Sequence, residues 1–136
     1  MWSTLDREKT LANTDRRRIS RHLHEYAKSK GVFKKGNYVN ADHVHVLIDL
    51  PTNVSIEDVA QLLKGSSSHW INSNDLIQGK FAWGRGYGAF SVSESKLSDV
   101  TQYIANQAEH HRVRTFSEEL KELAERHGLQ WREVSR

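Results

Sequence analysis

Residues 38–50 carry the pattern that most constrains the fold, an alternation of side chains that is typical of a β-strand. Branched apolar residues occupy every second position on one face: Val44, Val46 and Ile48. His43, His45 and Leu47 fall on the opposite face, because successive side chains of a strand point to opposite sides. Pro51 ends the predicted strand. The apolar face supplies the buried side, so packing does not require the two histidines to be buried.

Helical patterns flank this strand. Asp15 or Thr14 is the predicted cap of a first helix that ends near Gly31. The apolar stripe of this helix is Ile19, Leu23 and Tyr26. Ser55 and Asp58 resemble a capping box that opens a second helix. The apolar stripe of the second helix is Ile56, Val59, Leu62 and Leu63.

The remaining elements complete an α+β pattern. Gly65 and the serines at 66–68 leave open where the second helix ends. Short strands are predicted at residues 2–4, 32–38 and 89–93, and further helices at residues 95–113 and 117–128. Because helices alternate with a few partly polar strands, the sequence predicts one antiparallel sheet with helices mainly on one face.

Length and composition exclude several classes of protein. The 136 residues suit a single domain spanning residues 1–136. The chain has no cysteine, which excludes disulfides, thiolate nucleophiles and cysteine-ligated zinc or iron–sulfur sites. No apolar run reaches membrane-spanning length, and the N-terminus lacks the apolar region of a signal peptide. We therefore expect a cytoplasmic protein with no membrane partner.

Positive charge is concentrated near the start of the chain. Residues 1–35 contain ten Lys or Arg against four Asp or Glu, whereas residues 116–136 contain four against five. The predicted first helix and the strand after it carry these basic candidates: Arg16, Arg17, Arg18, Arg21, Lys34 and Lys35. Their side chains are candidate contacts for a polyanion, and a solvated helix face is the alternative interpretation.

The motif His43-Val44-His45 is the sharpest chemical feature of the sequence. Residues two apart on a strand project side by side from the same face. Two imidazoles in this arrangement can hold one divalent metal ion, while Val44 points into the core and anchors the strand. The alternative interpretation is a pair of ordinary surface histidines.

A later predicted helix carries Tyr103 and Gln107 one turn apart, with His110 on the same flank. A phenol can attack a phosphodiester and survive as a covalent ester. A divalent ion held by His43, His45 and a neutral oxygen donor such as Gln107 would reduce the charge of the phosphate and stabilise the leaving 3′ oxygen. The alternative is that Tyr103 is a rim residue of an amphipathic helix.

Taken in order, these motifs resemble the single-tyrosine HUH transposases, which are the IS200-like enzymes and the REP-associated tyrosine transposases. The resemblance covers about residues 2–128. It runs through Asp42–Leu47, Lys64–Ser68, Trp70, Trp83, Gly86–Ser93, Tyr103-Ile104, Asn106-Gln107, His110-His111 and Thr115-Phe116. Several blocks in the same order are more specific than either short motif.

The resemblance implies a ferredoxin-like (RRM-like) fold and a homodimer, in which the tyrosine helix of one subunit often lies against the histidine pair of the other. His43, His45 and Gln107 would bind Mg²⁺ or Mn²⁺, and Tyr103 would be the nucleophile. Single-stranded DNA would be cut near hairpins, giving a 5′-phosphotyrosine and a free 3′ hydroxyl, and the step would later be reversed for joining. The expected location is the cytoplasm of a bacterial or archaeal cell, at the nucleoid when DNA is bound.

The chain departs from the family pattern at the first strand, which in the family is usually longer than the stretch that starts at Met1 here. We expect this difference to affect folding, dimerisation and activity. Weaker nucleic-acid candidates are Lys64, Trp83 and Arg85, and His110 and His111 are candidate auxiliary groups. Two other functions stay open: a non-catalytic, domesticated protein that binds DNA hairpins, and a metal-dependent phosphoesterase that uses water.

Overall fold

The chain forms a mixed α/β fold built on a three-stranded sheet. The computed structural model describes residues 1–92 and 94–106, together with residues 118, 121 and 122. In chain order the elements are β1 (Trp2–Ser3), α1 (Arg16–Ser29), β2 (Phe33–Val39), β3 (His43–Asp49), α2 (Ile56–Ser73) and α3 (Leu97–Asn106). Of the two later predicted helices, α3 confirms the first over its described part. The second lies outside the described residues except for Glu118, Lys121 and Glu122, which are helical.

The sheet has the order β1-β3-β2, and both pairings are antiparallel, as predicted. The prediction of one strand over residues 38–50 is wrong, because a tight turn at residues 40–42 separates β2 from β3. The backbone N–H of Asn40 donates to the carbonyl of His43 across this turn at 2.7 Å. Gly36 lies in β2 beside a register shift, so the chain continues as a strand through a bulge there.

The segment after α2 runs alongside the N-terminus. Thr4 and Trp83 form an antiparallel bridge, and the backbone N–H of Gly84 donates to the carbonyl of Ser3 at 2.8 Å. The predicted strand over residues 89–93 is not formed at residues 89–92, and residue 93 lies outside the described residues. The reason is that β1 has only two residues, which gives this segment a very short edge to pair with.

Both caps predicted for the first two helices are present. The Asp15 side chain accepts a hydrogen bond from the backbone of Arg17, and Gly31 follows α1 with a φ of 74°, where glycine is favoured. Ser55 and Asp58 form the capping box of α2. The helix α2 continues through the serines to Ser73. The hydroxyls of Ser67 and Ser68 donate back to carbonyls of the same helix, and that of Ser66 lies 2.8 Å from Nε2 of His22.

The main core lies between the sheet and the first two helices. Val44 shares it with the buried residues of both helices: Ile19, Leu23, Ala27, Val59, Leu63 and Ile71.

The predicted apolar stripes of α1 and α2 each need one correction. In the last part of α1 the buried residue is Ala27, while Tyr26 lies at the rim of the core, and Ile56 and Leu62 of α2 are exposed. No helix in the described part of the chain is long and apolar enough to cross a membrane.

Candidate active site

The two histidines of β3 are buried. His43 is 0% exposed and His45 is 5% exposed, so the alternative of ordinary surface histidines is wrong. Their ring centroids lie 5.1 Å apart with the planes at 78° to each other. Alternation along the strand brings both rings to the face opposite Val44, and the rings are close enough to act on one ion or one substrate group.

Neighbouring strands place further polar side chains on the histidine face. Ser3 of β1 is paired with His43, and Tyr38 of β2 is paired with His45. Side chains directly opposite each other in antiparallel strands share a face of the sheet. Tyr38 is half-buried in this position. Tyr38 was not predicted from the sequence, because it is the pairing of β2 with β3 that brings Tyr38 beside His45.

A cavity of about 690 Å³ connects the histidine strand with α3. Its lining includes His45 and Leu47 from β3 and Val100 and Ile104 from α3. The helix α3 also packs on β2. Tyr103 belongs to this helix, although the structure does not describe its side chain. Three other predicted site residues lie outside the described residues: Gln107, His110 and His111.

The histidine pair fits part of a divalent metal site. Two neighbouring imidazoles offer two nitrogen donors on one face of the sheet, and His43 also bonds to the carboxylate of Asp42. Among the described residues, no group of three His, Cys, Asp or Glu side chains is arranged to hold a metal ion. A third protein ligand must therefore be of another type or come from outside the described part of the chain.

The basic candidates of α1 lie on the protein surface. Arg17, Arg18 and Arg21 are exposed, and Arg16 is half-buried. Glu25 is the acidic residue within α1, so the helix carries a clear excess of positive charge. Arg85 is also exposed. Lys34 and Lys35 belong to β2, but the structure does not describe their side chains.

Lys64 and Trp83 both make hydrogen bonds within the protein that give each side chain a role in the fold. The Lys64 ammonium donates to the carbonyls of Gly84 and Gly86 at 2.8 and 2.9 Å, so it holds the glycine-rich loop against α2. Trp83 is 9% exposed, and its Nε1–H donates to the Ser67 hydroxyl at 2.8 Å. The ring of Trp83 therefore packs in the core, and its role as a nucleic-acid contact stays a prediction.

Comparisons with known proteins agree with this arrangement. The family model of IS200-like transposases matches residues 1–107. The chain belongs to the IS200-like transposase family. A crystal structure of a Deinococcus radiodurans R1 protein assigned as a transposase superposes with a TM-score of 0.61. The two sequences are 29% identical, and the match covers 78% of this chain and 85% of that chain. A search of curated proteins gives no significant match.

Membership of the IS200-like family implies a transposase role, with DNA that is cleaved and rejoined as the partner.

In this IS200-like chain, a stacked cluster between α1 and α2 is a feature that sequence reasoning did not find. The ring of His22 stacks on Trp70 at 4.8 Å, and the Arg18 guanidinium lies 5.7 Å from the Trp70 ring centroid. His22 Nε2 is 2.8 Å from the Ser66 hydroxyl. Burial lowers the pKa of His22, although Glu25 and Ser66 act in the opposite direction.

Proposed function

We propose that this IS200-like transposase is a single-tyrosine strand transferase that acts on single-stranded DNA. The observation that supports the proposal is the cavity that joins His45 of β3 to α3, the helix that carries Tyr103. A phenol can serve as the nucleophile of phosphodiester transesterification, and a buried pair of imidazoles can hold a divalent ion that assists it. His43, His45 and Gln107 are the proposed ligands of Mg²⁺ or Mn²⁺.

Tyr103 is the proposed nucleophile. Its phenolic oxygen forms a bond to phosphorus while the bond between phosphorus and the 3′ oxygen breaks. The products are a 5′-phosphotyrosine and a 3′ hydroxyl, and the phenolic proton is released as the leaving oxygen takes up a proton. His110 and His111 are candidate auxiliary groups for this exchange. Attack by another 3′ hydroxyl on the phosphotyrosine reverses the step and joins two strands.

A divalent ion at the histidine pair would lower the charge on the phosphate and stabilise the leaving oxygen. The protein's own contribution is to hold two neutral imidazoles in a buried place on β3, where side-chain motion is restricted by packing. Neutral ligands leave the charge of the ion available to the substrate. The second proposed element is a homodimer.

The basic surface of α1 is the proposed contact for the phosphates of a DNA hairpin. Arg17, Arg18 and Arg21 are exposed on this helix, and each can bind a phosphate oxygen through its guanidinium. Such contacts position the DNA but carry no sequence information by themselves. The hairpin would therefore be held at α1 while the single strand reaches the histidine face.

The substitution Tyr103→Phe tests the proposed nucleophile. We expect it to abolish the covalent protein–DNA adduct that forms with single-stranded DNA and Mn²⁺, while DNA binding is retained, because only the phenolic oxygen is removed. The adduct is measured as a band that resists denaturation on a gel. Tyr26→Phe is the matched control, since Tyr26 lies on α1 and does not line the cavity between β3 and α3. An adduct formed by Tyr103→Phe would contradict the proposal.

The same experiment separates the two alternative functions. A domesticated hairpin-binding protein would bind through the exposed arginines of α1 but give neither an adduct nor cleavage with Mg²⁺ or Mn²⁺. A phosphoesterase that uses water would give cleaved DNA with free ends and no adduct. Either result with the wild-type protein would replace the strand-transferase proposal.

A further inference from the structure

A buried carboxylate lies against the first histidine of the pair. The side chains of Asp42 and His43 are both buried, and Oδ1 of Asp42 lies 2.6 Å from Nδ1 of His43. A carboxylate oxygen can only accept a hydrogen bond, so the proton lies on Nδ1 of the imidazole. The other ring nitrogen, Nε2, then carries the lone pair that a metal ion requires.

The turn that carries Asp42 is anchored by the N-terminal segment. The backbone N–H and the hydroxyl of Thr4 donate to the carbonyl of Asp42 at 2.8 and 3.2 Å. The backbone N–H of Leu11 donates to the carbonyl of Ala41 at 3.1 Å. Thr4 is itself fully buried. These contacts come from residues far from the turn in sequence, so the position of the carboxylate is set by the tertiary structure.

We propose that Asp42 is a positioning residue for the metal ligand His43. It selects the Nδ1–H tautomer, fixes the orientation of the ring and increases the basicity of Nε2, as carboxylates behind ligating histidines do in metal sites generally. The proposal rests on the proposed function, because it concerns the same histidine pair. Asp42 has no chemical role among the predictions from the sequence, so this inference adds one residue to the proposed site.

Two substitutions of Asp42 test this role in the full-length chain. Asp42→Ala removes the acceptor, and we expect Mn²⁺ affinity measured by calorimetry to fall about 10- to 100-fold. Asp42→Asn retains an acceptor oxygen without the charge, and we expect a smaller loss. Asp75→Asn, at an exposed position outside the cavity, is the matched control and should leave the affinity unchanged.

A second measurement detects positioning without metal. Nitrogen-15 NMR of the metal-free protein should show His43 protonated on Nδ1 in the wild type. In Asp42→Ala it should show a shift toward the tautomer protonated on Nε2. A residue with only a structural role would alter the melting temperature without changing the tautomer. If Asp42→Ala does not fold, the affinity of Asp42→Asn and the wild-type tautomer still decide the question.

The outcomes separate this inference from the proposed function. If both Asp42 variants bind Mn²⁺ as tightly as the wild type, the inference is overturned and the proposed function stands. A wild-type His43 protonated on Nε2 would also overturn the inference alone. A wild-type protein that binds no Mn²⁺ would overturn the proposed metal chemistry and, with it, the role of Asp42.

Discussion

The histidines of β3 and His22 of α1 are the same residue type in two different environments. His43 and His45 are buried side by side on a strand, and His43 is hydrogen-bonded to a carboxylate. His22 is half-buried on a helix, stacked on Trp70 and bonded to a hydroxyl, with an arginine nearby. A carboxylate partner prepares an imidazole for a cation, whereas burial lowers the pKa of His22 and so disfavours its charged form.

The comparison shows that surroundings, rather than residue type, separate a candidate metal ligand from a structural histidine. His22 has an aromatic neighbour that uses the face of its ring, so its contribution lies in packing α1 against α2. The pair on β3 places two imidazole rings 5.1 Å apart on one face of the strand. Substitutions in the two regions should therefore have effects of different kind and size.

The largest expected effect follows from His43→Ala combined with His45→Ala. Removing both imidazoles leaves the proposed site without nitrogen donors, so Mn²⁺ binding by calorimetry and the covalent DNA adduct should both be lost. His22→Ala should leave metal binding intact and reduce only thermal stability. Retained metal binding in the double variant would show that the cation binds elsewhere and would remove the contrast between the two regions.

An intermediate effect is expected from replacing Arg17, Arg18 and Arg21 with alanine. If each guanidinium contacts one phosphate of the duplex stem of a DNA hairpin, the salt dependence of hairpin binding should weaken. The slope of log affinity against log salt should fall by about 3, at roughly 0.9 for each lost contact. Anisotropy titrations at several salt concentrations measure this slope. Lys80→Ala, an exposed lysine outside α1, is the control, and an equal change there would contradict a specific role of α1.

The smallest expected effect concerns pH. Because the pKa of folded His22 is lowered from 6.5, the unfolded chain binds the proton more readily than the folded chain. The contribution of His22 to stability is complete above about pH 6.5 and is lost as pH falls toward its lowered folded pKa. His22→Gln should therefore make the melting temperature less sensitive to acid in this range. His24→Gln, an exposed neighbour on the same helix, serves as the control. An equal acid sensitivity of His22→Gln and the wild type would exclude this role.

The comparison also explains which parts of the fold could be predicted. The Asp15 cap, the Ser55–Asp58 capping box and the alternation of β3 were predicted because each depends on residues within a few positions of one another. The turn at residues 40–42 was missed, since its local Asn40–His43 hydrogen bond is supplemented by anchoring bonds from Thr4 and Leu11, far away in the chain.

The sequence by itself determined that two imidazoles share one face of a strand, because strand geometry has a period of two residues. Only the tertiary structure decided that both are buried, that Asp42 is hydrogen-bonded to one of them and that Trp83 packs in the core. The burial of a side chain and its hydrogen-bonding partners are set when segments distant in the chain pack together. No local sequence pattern specifies which segments these are.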